Sequence, residues 1–114
     1  MTELNEVMLQ TRLTAKFPKD NALSYCMIAL AGEVGELANQ YKKELRGDFT
    51  DAQKKADNRM KMIDELGDVL WYVAALADAL GVDLETVFVM NRDKLTIRHA
   101  TSLASSTSSY DQPQ

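Results

Sequence analysis

The chain has 114 residues, the size of a single domain, and at that length a helical protein buries only part of its apolar surface on its own. A formal charge of −4 and a pI near 4.9 speak against general nucleic-acid binding, so an anionic substrate would need a metal or a local basic cluster. Two prolines and five glycines favour long helices over a turn-rich β fold, and Cys26, the single cysteine, excludes an internal disulfide.

In chain order, the pattern predicts a first helix over about Glu3–Lys16, ended by Phe17-Pro18 because proline disfavours the α region for the residue before it. A second helix is expected from an Asn21 N-cap to about Leu45, closed by Gly47 in the left-handed region. Cys26 lies in its apolar run Tyr25–Leu30 and reads as a buried small hydrophobe. The polar stretch from Asp48 to about Arg59 fits either a loop or a helical start. A third helix is predicted from Met60 to Leu80, where Ile63, Leu66, Leu70, Val73, Ala77 and Leu80 recur in steps of three and four. Gly81 ends it. Asp83 caps a fourth helix that runs to about His99, with Thr86 in place of a capping-box glutamate. Residues 1–100 form the expected domain, and the serine-rich segment 101–114 is expected to be a disordered tail. No signal pattern opens the chain and no apolar run is long enough to span a bilayer, so a cytoplasmic protein without membrane attachment is expected.

Two stretches match in kind: Glu33-Val34-Gly35-Glu36-Leu37 and Glu65-Leu66-Gly67-Asp68-Val69. Each carries two acids three residues apart, neighbours on one helix face. At about 100° per residue, with the apolar stripes centred on Val34 and Leu66, the first acid of each pair lies roughly 100° and the second roughly 160° from the stripe, on the same side. Antiparallel packing with those flanks turned together would gather four carboxylates, which repel unless a cation compensates them. Magnesium, with its preference for oxygen ligands, fits, and two metals are conceivable. Solvated acid pairs are common on helices, but two matching pairs, each with a mid-helix glycine that costs about 0.5–1 kcal/mol, are not. Gly35 and Gly67 fall on the flank away from the acids, where close approach of another helix would explain them.

Asn91, Lys94 and Arg98 share one face of the fourth helix, and Lys43 lies two turns beyond Glu36, so these residues can supply cations and a polar contact for a polyphosphate. Tyr72 falls on the carboxylate flank and Trp71 on the far side, and either ring can stack on a base. Without a Glu-x-x-His motif a ferritin-like di-iron protein is disfavoured, and without a glycine-rich phosphate loop so is a P-loop enzyme.

Taken together, Ala31-Gly32-Glu33-Val34-Gly35-Glu36-Leu37-Ala38, Lys42-Lys43-Glu44-Leu45-Arg46, Asp64-Glu65-Leu66-Gly67-Asp68-Val69-Leu70-Trp71-Tyr72 and Asn91-Arg92-Asp93-Lys94-Leu95 with Arg98 strongly resemble the MazG-like members of the all-α nucleoside triphosphate pyrophosphohydrolase superfamily. The resemblance spans about Asn5 to His99. It implies an all-α, four-helix bundle assembling as a homodimer or homotetramer. It implies Mg²⁺, with Mn²⁺ as substitute, held by Glu33, Glu36, Glu65 and Asp68. The implied reaction takes a (d)NTP to (d)NMP and pyrophosphate in the house-cleaning of nucleotide pools. Asn91, Lys94 and Arg98 match positions that contact phosphate or metal, and Lys43 joins them. Glu36 is the expected proton acceptor, with Lys94 and Arg98 stabilising charge on the phosphates. Gly32 departs from the many members that carry a further glutamate there. Three readings stand as alternatives: a dUTP/dCTP pyrophosphatase, a phosphoribosyl-ATP pyrophosphohydrolase, and a nucleotide-binding helical bundle without catalysis.

Overall fold

The structure, a computed structural model, describes residues 2–105. Among them there are four α-helices and no strand: α1 Glu3–Thr14, α2 Ala22–Leu45, α3 Ala52–Ala79 and α4 Leu84–Ser105, with a 3₁₀ turn at Lys19–Asn21 before α2. Among the described residues, no helix is long and apolar enough to cross a membrane.

Local chemistry sets the helix boundaries. Thr2 caps α1 through its hydroxyl, which accepts from the Asn5 amide at 3.2 Å. The chain turns extended at Ala15, two residues earlier than the sequence suggests, and Pro18 then leads into the 3₁₀ turn. Asn21 precedes α2 but makes no side-chain cap, contrary to expectation; its amide donates back to the Pro18 carbonyl to close the turn. Gly47 ends α2 at φ +86°, where only glycine is free of strain, and its amide and that of Asp48 satisfy carbonyls of the last turn. Asp51 then accepts from the Lys54 amide at 2.7 Å and starts α3 at Ala52. The undecided polar stretch is therefore mostly the first two turns of α3. Gly81, at φ +80°, ends α3, and Asp83 caps α4 by accepting from the Thr86 amide at 2.7 Å. Helix α4 continues past His99 to Ser105, so the first residues of the expected tail are helical; the remainder of that segment lies outside the described residues.

Helices α2 and α3 form an antiparallel hairpin, the most extensive contact in the molecule. Helix α1 packs on α3, and α4 packs on α1 and α3 but makes no contact with α2. The apolar interior lies at the α1–α3–α4 junction, where Met8, Ala74, Ala77 and Leu84 are buried with Leu4, Val7 and Val73 against them. The Arg12–Asp78 ion pair, 2.8 Å long, ties α1 to the end of α3 on the surface.

The seam between α2 and α3 is displaced from the stripes the sequence marks as core. Val34 is 48% exposed, Ile63 58% and Leu66 54%, and Met27, Tyr41, Leu45 and Leu70 are exposed as well. The seam instead uses the face that bears Cys26, Glu33, Leu37 and Gln40 on α2, and Asn58, Met62, Glu65 and Val69 on α3. At the end beside the α2–α3 turn, Asn58, almost fully buried, donates to the Gln40 carbonyl at 3.2 Å and to Glu44 at 3.1 Å. Arg59 closes a two-toothed ion pair on the same Glu44 with both contacts at 2.9 Å. Those hydrogen bonds, from Asn58 first and Arg59 second, hold the Glu44 carboxyl below its usual range. Gly35 and Gly67 do not serve close approach within the chain, since a Cβ at either would meet no atom within 4 Å.

Candidate metal centre

The displaced seam brings the acids together. Because Glu33 lies on the α2 packing face and Glu65 on that of α3, the two carboxylates meet between the helices, with Glu36 on the solvent side. One oxygen from each of Glu33, Glu36 and Glu65 lies within 4.8 Å of the others. Oε2 of Glu33 and Oε2 of Glu65 are buried without a hydrogen-bond partner. Burial, a hydrogen bond shared with Glu33, and the charges of Glu36, Glu33 and Asp68 push the Glu65 carboxyl up from 4.5 to about 7. Three acids that crowd each other, two with orphaned buried oxygens, are the donor set a hard divalent cation takes. The residues therefore fit a magnesium-type ion.

Asp68, the fourth expected ligand, stands one turn along α3. It lines a pocket of about 280 Å³ with Glu33, Trp71 and Tyr72. Tyr72 is thus beside the acids, as its helical position suggests. Trp71 is there too, rather than on the far side. Its indole NH donates to the Thr14 hydroxyl at 2.8 Å, so α1 anchors this wall of the pocket.

Sequence reasoning missed the rest of this wall. Phe17 packs on Tyr25 with ring centroids 5.4 Å apart and edge-on against Trp71 at 6.2 Å, and Trp71 meets Tyr72 edge-on at 4.9 Å. Burial first, and then Tyr25 and Glu33, push the Tyr72 hydroxyl above its ordinary range. A signal for Tyr25 was present: in an antiparallel pair each step back along α2 matches a step forward along α3. Once Glu33 faces Glu65, Tyr25 therefore lands near Tyr72. Phe17 carried no such signal, because it lies outside any helix. Cys26, fully buried with its thiol pushed up by burial, is the packed hydrophobe it was read as.

The basic residues are not gathered with the acids. Lys43 lies near the end of α2, where its charge helps hold Asp48 low after the dominant hydrogen bond from Arg46. Lys43 stands two helical turns, about 10 Å, along α2 from Glu36, as its spacing in the sequence sets. Asn91, Lys94 and Arg98 are exposed on α4, which does not touch α2. The separation from α2 arises from the fold: α4 leaves the Gly81 turn and packs on α1 and α3.

With this geometry in place, comparison with known proteins is informative. Over 76 residues the chain is 49% identical to the Gene 37 protein of Mycobacterium phage L5, covering 67% of this chain and 65% of that protein. It is 39% identical over 72 residues to the uncharacterized protein YvdC of Bacillus subtilis (strain 168), covering 60% and 68%. It is 35% identical over 82 residues to human dCTP pyrophosphatase 1, covering 72% of this chain and 48% of that protein. The chain thus spans about two thirds of the first two relatives and about half of the human one. No solved structure matches. Residues 21–102, which include all four acids and the α4 residues, match the model of the MazG nucleotide pyrophosphohydrolase domain, and the chain belongs to that family.

Proposed function

We propose that this chain is a Mg²⁺-dependent nucleoside triphosphate pyrophosphohydrolase that converts a (d)NTP to the (d)NMP and pyrophosphate, with Mn²⁺ as a working substitute. The observation that carries the reading is the convergence of Glu33, Glu36 and Glu65, with orphaned oxygens in the seam, in a chain of the MazG family.

Glu33 and Glu65 would hold the ion from inside the seam, Glu36 from the solvent side and Asp68 from the pocket wall. When bound, such an ion neutralises phosphate charge and lowers the pKa of a coordinated water. Glu36, the exposed member, accepts the proton of the attacking water. Tyr72 and Trp71 present ring edges and faces beside Glu33 and Asp68, where a base can stack. Asn91, Lys94 and Arg98 would meet the phosphates in an assembled homodimer or homotetramer; within one chain α4 touches α3 but not α2.

The test is pyrophosphate release from a nucleotide panel with and without Mg²⁺. Glu36→Gln is expected to lower the rate by about 10²–10⁴-fold, and Asp68→Asn to abolish Mg²⁺-dependent turnover, each with helical circular dichroism intact. Full activity in either variant overturns the assignment. The likeness to human dCTP pyrophosphatase 1 makes dCTP the first substrate to try. Binding of nucleotide without turnover would instead identify a non-catalytic binding bundle.

A further inference from the structure

The match to the family model begins at residue 21, yet one wall of the pocket beside the acids is held by residues that precede it. Trp71, the single tryptophan of the chain, lines that pocket with Glu33, Asp68 and Tyr72. Its indole N–H donates to Thr14 Oγ1 at 2.8 Å. Its ring meets Phe17 edge-on at 6.2 Å and Tyr72 edge-on at 4.9 Å. The indole is therefore fixed at its polar end by one contact and along its ring by two.

Thr14 is arranged to accept this bond. A threonine hydroxyl has one proton to give. Here the proton points back along α1, to the Gln10 carbonyl at 2.9 Å with a longer contact to that of Thr11 at 3.4 Å. A lone pair is left for the indole. Thr14 is the last residue of α1, and Arg12, in the same turn, pairs with Asp78 of α3 at 2.8 Å. Two polar rungs thus pin this end of α1 to α3. The apolar interior does not need Thr14, which is exposed; α1 contributes Leu4, Val7 and Met8 there. With its one N–H given to Thr14, Trp71 has no donor left for a ligand and offers only its π surface. A nucleobase is a ligand that such a wall takes by stacking.

We propose that Thr14 is a positioning residue for nucleotide binding: it holds the Trp71 indole as a preset wall for the base, beside Glu33 and Asp68. This role rests on the nucleotide reading of the site, and it adds a determinant from outside the segment that matches the family model. A ring ordered before the base arrives has no ordering cost to meet on binding. Without the Thr14 bond the indole is free to turn and its N–H takes a water instead. The effect belongs to binding and not to the hydrolytic step, because Thr14 bonds Trp71 and α1 carbonyls and none of the four acids.

Trp71 fluorescence tests this directly, since no other tryptophan contributes. Thr14→Val and Thr14→Ala remove the acceptor, Thr14→Ser keeps it, and Leu13→Ala, at a side chain 75% exposed in the same turn, is the control. The probes are the α,β-methylene analogues of dCTP, dTTP, dATP and dGTP with Mg²⁺, titrated against Trp71 emission, with pyrophosphate release measured from the matching triphosphates. Thr14→Val is expected to shift the emission of the free protein, to weaken binding of the best analogue and raise KM by about tenfold, and to leave kcat within about twofold. Thr14→Ala should do the same, Thr14→Ser should behave as wild type, and Leu13→Ala should change nothing, all with unaltered circular dichroism. In a Trp71→Phe background, which lacks the N–H, Thr14→Val should add no further rise in KM, whereas a merely structural Thr14 would add its loss in both backgrounds. Wild-type binding and KM in Thr14→Val overturn the role and leave the nucleotide reading standing. A fall in kcat at unchanged KM, or a Thr14→Ser as impaired as Thr14→Val, also overturns it. A wild type that binds none of the four analogues overturns the nucleotide reading and this role with it.

Discussion

At the residue scale, Glu65 decides how the acid cluster behaves in the absence of a cation. Its carboxyl stands at about 7 in the folded chain against 4.5 for the unfolded group, with burial as the first cause and the bond to Glu33 the second. Between those two values the unfolded chain has released the proton and the folded chain keeps it, so folding loses stability as pH rises. Below 4.5 both states are protonated and the loss is absent; above about 7 it is complete. The melting temperature of EDTA-treated protein should therefore fall from pH 4.5 to 7 on account of this group, and Glu65→Gln should flatten that fall. Magnesium should raise the melting temperature of the wild type more at pH 8 than at pH 5, and should fail to raise it in Glu65→Gln. Thermal melts across pH 4.5 to 8 check all four outcomes, and a profile unchanged by the substitution would show that the seam does not strain this carboxyl. The acids themselves were legible in the sequence, because two pairs at the same spacing with a glycine between them are rare on a solvated face. Their separation into two half-buried acids, one exposed and one on a pocket wall was not legible, since it depends on where the seam runs.

At the element scale, the hairpin shows why an apolar stripe is incomplete information. The periodicity through Val34 and Leu66 reports a face that avoids water, without reporting which molecule supplies the cover. Within the chain the helices meet on the adjacent face instead, along residues that include acids and amides. The first turns of α3 escaped a sequence reading for the same reason. They carry little apolar periodicity, and what holds them is polar: the Asp51 cap, Asn58 on Gln40 and Glu44, and Arg59 on Glu44. Asn58 is the member whose loss can be measured most directly. It is 2% exposed and donates two hydrogen bonds across the seam, so Asn58→Ala should cost about 1–3 kcal/mol in urea unfolding, more than an exposed neighbour such as Asp57→Ala. An equal cost for the two would show that the amide network does not carry this end of the hairpin. The helix ends, by contrast, were legible wherever glycine or a side-chain cap imposes them, as at Gly47, Gly81 and Asp83.

At the scale of the whole molecule, the α2 acids and the α4 cations stand on elements that do not touch. Glu33 and Glu36 belong to α2, whereas Lys94 and Arg98 belong to α4, and no contact joins those helices within the chain. If the cations act on phosphates, assembly must bring them there, and turnover then depends on protein concentration by mass action. Pyrophosphate release per chain should fall on dilution through the dissociation constant measured by sedimentation. Lys94→Ala should raise KM at every protein concentration and leave the sedimentation profile unchanged. A rate per chain that stays flat while sedimentation shows monomers would place all the chemistry within one hairpin. The α4 cations would then be surface charges.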